Sequence, residues 1–279
     1  MMRRIERKIG AFNCYLYGWE EEAPCSESAA VPLLIRQSAA TPLLIQPVDD
    51  HDLEVLDSEV AEIERLLQGS AAGAEPCGNA AGCAFRLAAF KVNDWNDDLS
   101  PWEAPPAFGK EPFGGGATKT LAYIEEELLP GLVELTDGQS DAADLKQTAA
   151  PVILGGNSLA GLFALWAGTQ AERFLGIAAA SPSVWFPRWI EHAEEHWQGV
   201  GAAGFPRRIY LSLGNKEEKT RNPVMARVGD CIRQQQEILT AAGVENTLVW
   251  EQGNHFREPD LRTARAFAWV LKGLRAAAK

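Results

Sequence analysis

Short apolar runs alternate with stretches of helical period along most of this chain, and few folds accommodate that alternation. Runs at 11–18, 42–48, 85–92, 151–154, 175–180, 209–213 and 247–250 read as strands. Between them, 53–67, 118–129, 158–168, 187–197, 223–241 and 260–276 read as helices. In the first of these, Leu53, Leu56, Val60, Ile63 and Leu67 make one apolar stripe. Pro130-Gly131 is expected to end the second helix. Strands separated by whole helices pair in parallel through crossovers, so the prediction is an α/β fold with a mostly parallel, doubly wound central sheet flanked by helices. Such sheets carry their chemistry in loops at the carboxyl ends of the strands. Those ends fall at 48–52, 93–102, 155–160, 181–186, 214–218 and 251–256.

Length and composition narrow the range of functions. The 279 residues are expected to form one domain, with 1–40 as an N-terminal strand and irregular extension and 93–116 as a long active-site loop. Pro-Leu-Leu-Ile recurs at 32–35 and 42–45 but nowhere later, so no repeat array is expected. Residues 69–82 read as a loop. With 26 Lys+Arg against 38 Asp+Glu, the net charge of −12 disfavours nucleic acid and anionic membranes as partners. No apolar run is long enough to span a bilayer, and the basic N-terminus lacks the apolar core of a signal peptide. The cysteines at 14, 25, 77, 83 and 231 form no CxxC pair and read as reduced thiols in a cytoplasmic protein. The sequence sets no oligomeric state.

The sharpest motif is Gly155-Gly-Asn-Ser158-Leu-Ala-Gly161, between an apolar strand and an apolar helix. A nucleophile elbow needs that context, because the serine sits on a turn so tight that its neighbours must be small. The bland alternative is a tight turn with an ordinary capping serine. A hydrolase of this fold also needs an acid and then a histidine from later strand ends. Gly214-Asn-Lys-Glu217-Glu218 and Glu251-Gln-Gly-Asn-His255 supply them in that order, with Glu217 and Glu218 both open as the acid. His192 and His196 lie four apart in an acidic helix and read as solvated surface. His51, in Asp49-Asp50-His51-Asp52, has no second ligand cluster, so no metal is expected. Gly114-Gly-Gly116 followed by Lys119-Thr120 fails as a phosphate loop, since the lysine does not directly follow a glycine.

Several segments together carry a family resemblance. They are Pro42-Leu-Leu-Ile-Gln-Pro-Val48, Asp98-Leu-Ser-Pro-Trp102, Gly156-Asn-Ser-Leu-Ala-Gly161, Ser181-Pro-Ser-Val-Trp-Phe186, Leu213-Gly-Asn-Lys-Glu217 and Gly253-Asn-His255. In order and spacing the chain resembles the esterase D and enterochelin-esterase-like branch of the α/β-hydrolase superfamily. The resemblance implies a single-domain α/β-hydrolase fold, Ser158 as nucleophile, His255 as base and Glu217 as acid by position. It departs from the family in having Glu217 where an Asp is usual, so that Glu218 or a dyad without an acid stays open. It also has Trp95 where enterochelin-type members carry an Arg, so no siderophore substrate is inferred.

The expected reaction is ester hydrolysis on a small or medium-sized substrate, with no cofactor. His255 takes the Ser158 proton as the hydroxyl attacks the carbonyl. The oxyanion is expected to meet the backbone N–H of Leu159 and that of Asp49, with Val48 or Asp50 equally defensible. Trp95, Asp98, Trp102 and Trp185 are expected to line the substrate pocket, although the 93–102 loop could equally be a capped surface loop with anchoring indoles. Trp166 and Trp269 are assigned to the core and Trp250 to a strand end. A thioesterase or acyltransferase would use the same residues, and a binding protein could keep the fold without the chemistry.

Overall fold

A computed structural model of the chain describes residues 2–19, 41–69, 84–107, 109–137, 151–203 and 206–277. The first Pro-Leu-Leu-Ile copy, the 69–82 loop beyond Gly69, and cysteines 25, 77 and 83 lie outside the described residues. Cys14 and Cys231 are free and buried.

The central sheet has eight strands: β1 (Arg4–Ile9), β2 (Phe12–Tyr17), β3 (Leu43–Val48), β4 (Arg86–Lys91), β7 (Val152–Asn157), β8 (Phe174–Ala180), β9 (Arg208–Gly214) and β10 (Glu245–Glu251). Their order is β1-β2-β4-β3-β7-β8-β9-β10, and every pair from β4 to β10 is parallel. A separate pair, β5 (Glu103–Ala104) and β6 (Phe113–Gly114), lies in the 93–116 segment. The helices are α1 (Asp50–Gln68), α2 (Trp95–Asp98), α3 (Ala117–Tyr123), α4 (Leu129–Asp137), α5 (Leu159–Gln170), α6 (Trp189–Ala203), α7 (Val228–Ala241) and α8 (Pro259–Ala277). The structure is therefore of the α/β class with a mostly parallel sheet, and β3 and β7 lie side by side although β4 intervenes in sequence. That reversal of strand order opens a crevice at their carboxyl ends.

Apolar side chains of both sheet faces are buried under helices. Leu56, Val60 and Ile63 of α1 pack with Phe267, Val270 and Leu271 of α8 against one face. The other face is covered by Leu162, Phe163 and Leu165 of α5 together with Trp189, Trp197 and Ile232. Helix α5 is buried all round, which explains why its sequence, LAGLFALWAG, has no polar stripe.

Three expectations change. The N-terminal segment holds two strands, not one: β1 pairs antiparallel with β2 across a turn at Gly10 (φ 53°). Its sequence RIERKI hides the strand because an edge strand carries charge on its open side. The helix expected to stop at Pro130-Gly131 continues to Asp137. A π-turn over Ile124–Leu128, with the Leu129 N–H bonded to the Ile124 carbonyl, restarts the helix just before Pro130. Proline then sits in a first turn, where its missing N–H does no harm. Finally, the 93–116 segment, expected as a long loop, carries the short helix α2 and the β5–β6 pair. No helix among the described residues is long and apolar enough to cross a membrane.

Candidate active site

β7 delivers the chain to the crevice, and Ser158 stands between it and α5. The serine backbone has φ 59° and ψ −120°, a conformation that costs roughly 1–3 kcal/mol for a residue with a Cβ. Backbone bonds hold it there: Ser158 N–H donates to the Ala180 carbonyl at 3.0 Å, and the Ser158 carbonyl accepts from Ser183 at 3.0 Å and Leu162 at 3.1 Å. Gly156 makes the turn sterically possible, because a Cβ there would lie 2.6 Å from the Ala160 Cβ. That contact also shows why Ala160 can stand where a glycine is usual: its methyl occupies the space that Gly156 leaves open.

Three side chains from three strand ends meet in one hydrogen-bonded row. His255 Nε2 lies 2.9 Å from Ser158 Oγ, and His255 Nδ1 lies 2.8 Å from Glu217 Oε2. Glu217 follows β9 in a 3-10 turn and is 5% exposed, against 22% for His255. Its second oxygen accepts from Gly214 N–H at 2.7 Å, Ser181 Oγ at 2.8 Å and Arg262 Nη1 at 2.9 Å. Burial alone pushes this carboxyl up, but the His255 contact, the Gly214 amide and the Ser181 hydroxyl outweigh it and hold the group below the ordinary glutamate value. Glu218 faces elsewhere and pairs with Arg233 at 3.1 Å.

Arg262 was invisible to sequence reasoning. It sits in α8 and is 1% exposed. One nitrogen serves Glu217 and Ser181, and the other donates to the carbonyls of Gln252 (3.2 Å) and Asn254 (2.9 Å) in the turn that carries His255. No local pattern marks an arginine that acts across the fold. Ser181 offered a weak signal, the Ser-Pro-Ser stretch, and its φ of 42° aims the hydroxyl at Glu217.

The remaining candidates divide. Leu159 is the first residue of α5, so its N–H has no helical carbonyl to meet. Asp49 is different: its N–H donates to Asp52 Oδ2 at 3.2 Å in a capping box at the start of α1, which removes it as a free donor. Trp185 is buried and lines a cavity beside His255. Trp95 lines a separate cleft of about 300 Å³ with Asp49, Asp50 and Lys91. Trp102 acts as a fastener, its Nε1–H bonded to the Pro187 carbonyl at 3.0 Å and its ring against Phe186 and His192. Asp98 accepts from the amides of Asn93 and Asp94 at 2.9 Å and shapes the loop.

Other assignments need correction as well. His192 is not solvated surface: it is half-buried against Trp189 and stacked on His196. Burial, with His196 beside it, lowers its pKa to about 4. Trp269 is half-buried, packed against the core beneath the Arg208 guanidinium, whereas Trp166 is buried. His51 lies exposed on the first turn of α1 near Glu54.

Comparison with known proteins shows the family and likenesses of fold. A family model described as "Putative esterase" matches residues 90–258. No curated protein matches the chain. Among solved structures, an IroE-like serine hydrolase from Shewanella oneidensis superposes with a TM-score of 0.62 at 16% identity, over 98% of this chain and 79% of that one. Siderophore hydrolase EstA from Aspergillus nidulans gives 0.58 at 17%, over 100% and 95%. A ferulic acid esterase gives 0.56 at 12%, over 98% of each chain. At such identities these are likenesses of fold. The family match spans more than half of the chain and takes in the elbow, the turn after β9 and His255, and the chain belongs to this esterase family, as a carboxylesterase-type hydrolase of the α/β-hydrolase fold.

Proposed function

We propose that the protein is a serine carboxylesterase that hydrolyses an ester of a small or medium-sized substrate through an acyl-enzyme on Ser158. His255 is the general base: Nε2 takes the Ser158 proton as Oγ attacks the ester carbonyl, then returns it to the leaving alcohol. A water activated by the same nitrogen releases the acid and restores the serine. Glu217 holds Nδ1–H, fixes the tautomer and stabilises the imidazolium. The observation that carries this reading is the unbroken row from Ser158 Oγ through His255 to Glu217, at 2.9 and 2.8 Å, mounted on a strained elbow. For the oxyanion, the Leu159 amide at the positive end of α5 is one donor. The second comes from the β3–α1 turn, from Val48 or Asp50, since the Asp49 amide is engaged by Asp52.

A fluorophosphonate probe tests the proposal directly. Folded wild-type protein is expected to label at Ser158 and to hydrolyse 4-nitrophenyl butyrate, and Ser158→Ala to do neither. Wild-type protein that stays unlabelled and inactive while folded would refute it.

A further inference from the structure

Beside His255 a cavity of about 320 Å³ opens, with Trp185, Met225 and Phe256 on its walls and Lys216 and Lys219 at its edge. Phe256, next to the base, is 83% exposed, with its ring edge-on to the His255 imidazole at 5.4 Å. The charge pattern is equally local. The whole chain carries −12, yet both lysines are exposed and form no ion pair among the described residues. The two carboxylates between them in sequence are engaged elsewhere, Glu217 by His255 and Arg262 and Glu218 by Arg233. Neither carboxylate forms an ion pair with the two ammonium groups. The fourteen-residue helix α7 also begins at this cavity, with Val228 on its wall, and adds the positive end of its dipole.

Resting on the serine-esterase reading above, we propose that this cavity selects esters bearing a free carboxylate, held by Lys216 and Lys219 while an apolar or aromatic body packs between Trp185 and Phe256. A cavity of this volume holds a ring or a short chain, with one charged end left at the mouth. The lysines are long and mobile, so they can meet a carboxylate on either the acyl or the alcohol side of the scissile bond.

The test compares charged and neutral esters of similar size. Two pairs serve: 4-nitrophenyl hemiglutarate against 4-nitrophenyl butyrate, and 3-carboxyphenyl butyrate against 3-methylphenyl butyrate. The readout is the ratio of kcat/KM, charged over neutral. Lys216→Met/Lys219→Met is expected to lower that ratio for at least one pair, by about fivefold per lysine at low salt. Added salt should narrow the wild-type ratio. Lys8→Met, on edge strand β1, should leave it alone. A ratio unmoved by the double variant in both pairs overturns the carboxylate site while the esterase stands. If wild-type protein neither hydrolyses these esters nor labels at Ser158, the esterase reading fails separately. The cavity is then judged by calorimetric titration with 4-phenylbutyrate: binding lost in the double variant upholds the site, and no binding to wild type overturns it.

Discussion

Replacing Arg262 by methionine removes a buried charge without leaving a large void, so its effects on folding and on the site can be measured apart. The guanidinium makes four hydrogen bonds, to Glu217, Ser181 and the Gln252 and Asn254 carbonyls. Breaking a buried ion pair by removing one partner costs about 3–5 kcal/mol in general. Here Glu217 keeps Gly214 N–H, Ser181 and His255, which places the loss near the lower figure, about 3 kcal/mol. The Gln252 carbonyl, left without its donor, adds about 1 kcal/mol where water does not reach it, whereas the Asn254 carbonyl keeps the Arg257 N–H at 3.2 Å. Urea unfolding monitored by tryptophan fluorescence measures the sum.

The electrostatic effect has a separate sign. With Arg262 gone, His255 is the remaining ion-pair partner of Glu217 among the described residues, so the imidazolium form is favoured. The acid limb of kcat/KM for 4-nitrophenyl butyrate should therefore move toward higher pH in Arg262→Met. Arg262→Lys keeps the charge but not the fork, so it should restore the acid limb while recovering only part of the stability. A methionine variant with wild-type stability and an unshifted acid limb would refute the role argued for Arg262. A loss of stability alone would reduce it to a structural brace.

Glu217→Gln should lower kcat by about 10³-fold by misorienting the imidazole, with Glu218→Gln near wild type in the same assay. Because the folded Glu217 pKa is depressed, its stabilisation is present above the unfolded value of about 4.3 and is lost as pH falls through the folded value, so the glutamine variant should show a flatter acid limb in thermal unfolding. Glu59 behaves oppositely: burial raises its pKa well above the ordinary value, so its favourable contribution is complete below about 4.3 and is lost as pH rises through the folded value. Glu59→Gln should accordingly be more stable than wild type by about 1–2 kcal/mol at pH 8 and lose that advantage below pH 4, and equal melting temperatures at pH 8 would count against it. Gly156→Ala, whose methyl would meet Ala160 at 2.6 Å, should cost about 2 kcal/mol or more in chemical unfolding and abolish fluorophosphonate labelling in the folded fraction.

What the sequence made legible follows from the range of each signal. The elbow is local: Gly156, Ser158 and Ala160 fall within one turn, and a strand and a helix flank them, so seven residues were enough to point to it. His255 and Glu217 were legible as candidates because strand order restricts where partners can arise, although only side-chain geometry shows that Glu217 bonds His255 while Glu218 pairs with Arg233. Strand β1 was not legible, because its exposed charges broke the alternation that marks a buried strand. Nor was the continuation through Pro130, since the π-turn that admits it rests on a hydrogen bond five residues back. The tryptophans show a third kind of limit. Their loops were placed correctly, but Trp102 points into the Pro187 turn, and nothing within its own loop encodes that direction.

The two buried glutamates show how one residue type is pushed in opposite directions within one fold. Both lose solvation, which by itself raises a carboxyl pKa. Glu59 has Gln46 as its hydrogen-bond partner, with the amide nitrogen 3.4 Å away, one oxygen on each of these side chains has no partner, and Asp52 and Asp260 repel its charge. Glu217 faces an amide, a hydroxyl, a guanidinium and an imidazole, and both of its oxygens are bonded. Desolvation therefore wins at Glu59 and donors win at Glu217. Of the two, Glu217 is the one that bonds a histidine, the part the proposed mechanism assigns to it. The surrounding design is consequently a requirement for function: Gly214 must lack a Cβ, because one would lie 2.8 Å from Glu217 Oε1 and 2.6 Å from the Gly253 carbonyl. That close approach is what lets the β9 and β10 turns bring the acid and the base within hydrogen-bond reach.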